Sequence, residues 1–196
     1  MTTVLVLASA SPRRQELLRN AGIAFVVQST DIPEIPRKGE LPRSFAERLA
    51  REKALFVFGQ RAHDFVLGAD TIVTVDGQIL GKPRDGADAA RMLRLLSGRQ
   101  HQVTTGVCLV GPEQTGFSDV RSETTLVTMD ILRENDVRSY IASGEPMDKA
   151  GAYAIQGIAS RWISKIDGDY CNVVGLPVAL VWRMLKQHGV VCELET

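Results

Sequence analysis

Two adjacent arginines, Arg13 and Arg14, fall in the first turn of a helix that the sequence predicts directly behind an apolar strand. Val4-Leu5-Val6-Leu7 reads as a strand buried on both faces. Ser11 is a good N-cap, Pro12 suits the first helical position, and Gly22 stops the helix. A helix N-terminus carries partial positive charge, so anions are welcome there and cations are not. Two arginines beside free backbone N–H groups, with the Ser9 hydroxyl in the same turn, make an anion-seeking corner. A bound phosphate is the economical explanation. The competing one is that both arginines point outward and pair with Glu16 or remote carboxylates. Since a first-turn arginine opposes the dipole, removing either is expected to leave stability unchanged or slightly raised.

Further residues could act beside this corner. Asp70 interrupts the apolar run Phe65-Val66-Leu67-Gly68-Ala69, where a carboxylate is costly unless paired, capping or catalytic. An Asx-turn or a bulge is the plainer account of it. Lys82 follows a tight hairpin and is held between Gly81 and Pro83, which suits a positioned cation, although such lysines are commonly just exposed. Lys53 lies on a helix, where a surface role is the usual one. Asp31 and Glu34 sit on a proline-containing loop over 29–43; Glu34 gains interest if it faces the arginines. Gln156, between a short apolar pair and Gly157, could hold its amide at a pocket wall.

The elements that must position these residues alternate. Strand, helix and a second strand over 23–28 open the chain, favouring an α/β fold. Ser44-Phe45-Ala46-Glu47 reads as a capping box starting a helix that runs to about Phe58. The run 65–69, then 72–75, reads as strand, with Asp76-Gly77 as a two-residue hairpin turn to 78–80. A helix follows over 85–97, then two long strands over 101–110 and 117–129, and a helix over 132–143. The segment 148–157 is rich in small residues and lacks periodicity; 161–166 alternates like a strand; a final amphipathic helix reaches about His188, with an edge strand over 190–194.

Composition bounds the function. The 196 residues suit one domain, 1–196, or one domain with a small subdomain, and 44% of them are hydrophobic, enough for a sizeable core. Lysine plus arginine and aspartate plus glutamate each number 23, so no global basic field recruits nucleic acid or anionic membrane. Cys108, Cys171 and Cys192 are scattered and odd in number, which fits a reducing cytosol and argues against a disulfide framework or zinc cluster. The three histidines, His63, His101 and His188, share no ligand spacing. No apolar run suits a signal peptide or a membrane span.

Taken in order, Ser9-Ala10-Ser11-Pro12-Arg13-Arg14, Arg51-Glu52-Lys53, Gly68-Ala69-Asp70-Thr71, Gly81-Lys82-Pro83, Ala152-Tyr153-Ala154-Ile155-Gln156-Gly157 and Val174-Gly175-Leu176-Pro177 resemble the Maf family of nucleotide pyrophosphatases. The ordered set is specific and spans nearly the whole chain. The resemblance implies an elongated α/β fold around a mixed sheet flanked by helices, related to house-cleaning NTP (ITPase-like) pyrophosphatases, with an active-site cleft between two lobes. It also implies cytoplasmic localisation, a divalent metal (Mg, Mn or Co) and, as members are often dimers, a homodimer. The branch acting on dTTP and UTP carries two arginines after Ser-Pro, an Asp-Thr pair and Ile-Gln-Gly, here Arg13-Arg14, Asp70-Thr71 and Ile155-Gln156-Gly157. The sister branch, acting on 7-methyl-GTP, typically has Trp-Arg, Asp-Gln and Ser-Glu-Gly. Asp169 departs from the family, which often has serine before Tyr170.

By that likeness Arg13, Thr71 and Gln156 set specificity and Asp70 accepts a proton. The implied reaction is hydrolysis of a nucleoside triphosphate to the monophosphate and pyrophosphate. Ser9, Arg13, Arg14, Lys53 and Lys82 would hold the triphosphate, with Lys53 and Lys82 in the catalytic set. Asp70 would either take the proton of the attacking water or hold the metal, with Glu34 as a second metal ligand. Two rivals stay open: a non-catalytic nucleotide-binding regulator of cell division, and a purine-directed house-cleaning pyrophosphatase.

Overall fold

The computed structural model describes residues 4–190. The expected edge strand over 190–194, Cys192 included, lies outside the described residues apart from Val190. A mixed seven-stranded sheet is flanked by helices, as the α/β reading requires. The strands are β1 (Leu5–Leu7), β2 (Val26–Val27), β3 (Phe65–Val75), β4 (Gln78–Leu80), β5 (Gln100–Val110), β6 (Ser118–Met129) and β7 (Ile163–Asp167). The helices are α1 (Pro12–Asn20), α2 (Pro42–Phe58), α3 (Gly86–Leu96), α4 (Glu134–Ala142), α5 (Tyr170–Val174) and α6 (Val178–Gln187). Sheet order is β2-β1-β3-β5-β6-β7, with β4 paired to β3. β1 pairs parallel with both β2 and β3; β3–β4 and β6–β7 are antiparallel. No helix among the described residues is long and apolar enough to cross a membrane.

The chain forms two compact units. One comprises the chain up to Asp70, 105–123 and the chain from Gly175; the other comprises Thr71–Thr104 and Thr124–Val174. In the first unit, strand alternation sorts side chains onto two faces. Leu5, Leu7, Leu67, Ala69, Val107 and Leu109 form one core with Leu18 of α1 and Leu180, Val181, Met184 and Leu185 of α6. Val6, Ala8, Val66, Cys108 and Val110 form a second core with Ala50, Ala54 and Val57 of α2. A strand covered by helices on both sides must be apolar at every position, which is why 4–7 shows no alternation.

In the second unit, Asp76 (φ 50) and Gly77 (φ 76) both adopt left-handed backbone and close the β3–β4 hairpin as its Asp-Gly signal predicts. α3 is capped by Asp85, whose side chain accepts from the Asp88 N–H, and it packs on α4 and on short 3-10 turns over Glu145–Asp148 and Ala150–Ala152.

Four local expectations need correction. α2 begins at Pro42, not at Ser44, because proline at the first helical position presets the turn. The expected capping box is absent; Glu47 instead accepts from Arg43 at 2.9 Å and from the Ser122 hydroxyl at 2.6 Å. β2 shrinks to two residues, and the strand expected from 161 begins at Ile163, after a 3-10 turn over Ile158–Trp162.

Candidate active site

Asp70 lies inside an uninterrupted eleven-residue strand. The Asx-turn or bulge is therefore not formed. By the period of two, Asp70 shares its face with Val66 and Gly68, the face that packs on α2. There Lys53, one turn from Ala50 and Val57, points at the strand. Its Nζ donates to Asp70 Oδ1 at 2.5 Å and to Glu34 Oε1 at 2.6 Å. Lys53 is thus no surface lysine: its side chain is 9% exposed and that of Asp70 7%. Glu34 does turn from its loop toward the arginine corner, the condition on which its interest depended; its charge and that of Asp70 both act on Arg14.

Two glycines make this contact. A Cβ on Gly68 would lie 2.1 Å from the Ala50 carbonyl oxygen, and one on Gly106 would lie 2.4 Å from the Ala46 carbonyl. With Ala46, Ala50 and Ala54 along the buried face of α2, the helix backbone rests directly on β3 and β5. The short Lys53–Asp70 bond depends on that close approach.

The two arginines separate. Arg14 is buried: Nε donates to the Gly175 carbonyl at 2.8 Å, and Nη1 to the Ala69 carbonyl at 2.9 Å and the Ser9 hydroxyl at 3.1 Å. It ties α1 to β3 and to the residue before Leu176. Gly175, quoted above only as part of a motif, supplies that carbonyl from left-handed backbone (φ 132). Arg14 removal should therefore be costly, a correction to the dipole argument: three hydrogen bonds outweigh the few tenths to ~1 kcal/mol of an unfavourable terminus. Arg13 is half-buried and makes no hydrogen bond or ion pair among the described residues. The Ser11 side chain does not cap α1. Ser9 Oγ accepts from the Ser11 N–H at 3.3 Å as well as from Arg14, which leaves its own proton to donate outward.

Charges in this corner nearly cancel. Arg14 and Lys53 oppose Asp70 and Glu34, leaving Arg13 as the surplus cation beside a helix N-terminus. Burial pushes the Asp70 carboxyl above its ordinary value, against the pull of Lys53 and Arg14. Burial lowers Arg14, which Asp70 and Glu34 counteract. A carboxylate of raised pKa, held at fixed orientation, is suited to accept a proton.

Glu34 and Asp70 converge on one cationic point, the Lys53 ammonium. Among the described residues no group of three or more His, Cys, Asp or Glu forms a metal cage. Two carboxylates do fit Mg²⁺, which takes one or two of them and completes its shell with water and substrate phosphates.

Thr71, Lys82 and Gln156 belong to the second unit. Thr71 follows Asp70 on the opposite face of β3 and is half-buried; Lys82 and Gln156 are exposed. Ile155 and Tyr153 are buried on either side of Ala154, which anchors the Gln156 segment. Just before it, Gly151 (φ 68) and Ala152 (φ 59) are both left-handed, a rare state for alanine. Sequence reasoning missed the polar pair Tyr140 and Glu145 beneath this segment, which no residue spacing marks.

The first unit thus defines a class: an α/β protein with a buried arginine at the strand–helix corner beside a buried, lysine-paired aspartate. The chain belongs to the Maf family; the family model described as Maf-like protein matches residues 4–188. It is 55% identical over 186 residues to a dTTP/UTP pyrophosphatase of Koribacter versatilis, covering 95% of each chain. It is 50% identical over 185 residues to a dTTP/UTP pyrophosphatase of Geobacter metallireducens, covering 94% of this chain and 96% of that one. Among solved structures, the Ham1 protein of Staphylococcus aureus aligns with a TM-score of 0.48 at 14% identity, over 94% of this chain and 98% of that chain.

Proposed function

We propose that this protein hydrolyses dTTP and UTP to the nucleoside monophosphate and pyrophosphate, a house-cleaning activity on the nucleotide pool. The observation that carries the proposal is the buried Asp70, fixed by Lys53 behind an arginine-bearing helix N-terminus. The names of relatives matched over nearly the whole chain support the substrate.

In this reading water attacks the α-phosphorus, and the bond from that phosphorus to the bridging oxygen of the leaving pyrophosphate breaks. Asp70 takes the proton of the attacking water, which its burial-raised pKa favours. Lys53 orients the carboxylate and tempers its charge near the phosphates. Arg13, the α1 N-terminus and the Ser9 hydroxyl bind phosphate oxygens, whereas Arg14 holds Ser9 and α1 in place and adds long-range positive charge. A divalent cation, held by Glu34 and Asp70 when bound, would neutralise phosphate charge and acidify water. Lys82 stabilises charge on the departing pyrophosphate, and Thr71 and Gln156 confer the pyrimidine preference. The protein acts as a single-domain cytoplasmic enzyme, as a homodimer.

Pyrophosphate release from a panel of nucleoside triphosphates, with and without Mg²⁺, tests the proposal. Highest kcat/KM on dTTP and UTP is expected. Preference for purine triphosphates would transfer the protein to the purine-directed class, and release from none would leave a nucleotide-binding regulator.

A further inference from the structure

The side-chain amide of Gln156 is exposed and makes no hydrogen bond among the described residues. Yet reading a pyrimidine needs a held amide. Uracil and thymine present an N3–H donor beside the O4 acceptor, and a glutamine offers the matching C=O and NH₂. Cytosine presents the reverse pair, which the same amide matches after a half-turn. An amide free to turn discriminates neither base, so selectivity requires that the backbone carrying it set the side chain against fixed neighbours that hold it one way round.

That backbone is clamped at both ends by one polar pair. The Ala154 N–H donates to the Tyr140 hydroxyl at 3.1 Å, and the hydroxyl donates to Glu145 Oε1 at 2.8 Å. The Ile158 N–H donates to the same carboxylate, 3.1 Å from Oε1 and 3.2 Å from Oε2. Gln156 is the midpoint of these five residues. Gly157 lies against the carboxylate so closely that a Cβ would fall 2.3 Å from Oε1. Tyr140 is buried and packs edge-on against Trp162, ring centroids 5.5 Å apart. Burial holds its hydroxyl protonated far above neutral pH, so it remains a donor to Glu145. Ile155 is buried beside Gln156, which fixes the strand of backbone between the two clamped ends.

We propose that Glu145, acting with Tyr140, is a positioning residue for base selection: it fixes the backbone that presents the Gln156 amide and so favours uracil and thymine over cytosine. This rests on the reading of Gln156 as the residue that meets the base edge. Neither Glu145 nor Tyr140 touches substrate in it; both act through Gln156.

The test is the ratio of kcat/KM for UTP over CTP in Glu145→Gln and Tyr140→Phe, each alone and combined with Gln156→Ala. Glu145→Gln keeps the shape but loses one acceptor; Tyr140→Phe keeps the ring against Trp162 and removes only the hydroxyl, so it serves if the first variant folds poorly. Each single variant is expected to lower the ratio roughly ten-fold. In the Gln156→Ala background neither should lower it further, because coupled residues acting through one group are not additive. A merely structural role would slow both nucleotides alike. An unchanged ratio in both single variants overturns the proposal, as does an equal effect with and without Gln156. If Gln156→Ala by itself keeps the parent ratio, the base-reading role of Gln156 is what has failed, and the clamp proposal falls with it.

Discussion

Gly68→Ala is expected to damage catalysis through the backbone of a helix that carries the lysine partner of Asp70. The new Cβ would stand 2.1 Å from the Ala50 carbonyl oxygen, 2.8 Å from the Ala54 nitrogen and 2.9 Å from the Ala54 Cβ. The first two obstacles are main chain, so no rotamer change relieves them. To regain a close carbon–oxygen contact of ~3.3 Å, α2 must retreat by about 1.2 Å. Lys53 rides on that helix, and the same shift would stretch its 2.5 Å bond to Asp70 beyond ordinary hydrogen-bond length. Overpacking of this kind costs ~1–3 kcal/mol, and a misplacement of ~1 Å in a catalytic group costs about a hundred-fold in rate. The assay pairs thermal denaturation with steady-state turnover of UTP. A lowered Tm together with a kcat reduced by tens of fold or more is expected. Ala54→Gly in the same chain should restore neither, since the nearest obstacle is the Ala50 carbonyl. Normal turnover in Gly68→Ala would refute the claim that close seating of α2 sets the Lys53–Asp70 geometry.

Other variants separate chemistry from architecture. Asp70→Asn should reduce kcat by at least ~10²-fold with nucleotide binding retained, measured by turnover and by equilibrium titration with UTP; near-normal turnover would remove Asp70 as the proton acceptor. Arg14→Ala should lose about 3 kcal/mol of stability, because the bonds from its guanidinium to the buried Ala69 and Gly175 carbonyls are lost, whereas Arg13→Ala should melt like the parent and weaken triphosphate affinity; equal melting of the two in denaturant would contradict the division of roles. His101 should make the fold acid-sensitive: burial lowers its pKa from 6.5 to about 4, so the unfolded chain takes up a proton before the folded protein does. The neutral ring's contribution is complete above pH 6.5 and lost as pH falls toward 4, a decline of about 3 kcal/mol. His101→Gln, which keeps a polar atom for the Tyr153 hydroxyl, should flatten the Tm–pH curve in that window; the same slope in both proteins would assign the acid sensitivity elsewhere.

What could be read from the chain depended on whether the physical cause was local. The β3–β4 turn was legible because Asp76-Gly77 by itself satisfies two left-handed positions. The start of α3 was legible because Asp85 and Asp88 cap it within one turn. The placement of both arginines in the first turn of a helix behind a buried strand could be read from residue type and spacing alone. How its two arginines divide the work could not: burial of Arg14 is decided by Gly175, 161 residues away, and by the carbonyl of Ala69. By its helix position alone Lys53 reads as a surface lysine for the same reason, and only the family resemblance places it in the site, since no helix pattern reveals that a glycine on a remote strand draws its neighbours Ala50 and Ala54 into backbone contact.

Asp70 shows how the two kinds of information combine. Its cost in an apolar strand was visible at once, and that cost has only a few remedies: a turn, a partner or a reaction. The turn is excluded by eleven continuous strand residues, and the partner is found in Lys53 at 2.5 Å. A partner alone would be an expensive arrangement, since replacing a buried ion pair by apolar side chains of similar volume is often neutral or stabilising. The surroundings, moreover, hold the carboxyl above its ordinary pKa even with that partner in place. A buried pair of this kind, beside a helix terminus whose Arg13 makes no ion pair among the described residues, is what the proposed reaction would use and what the fold alone does not require.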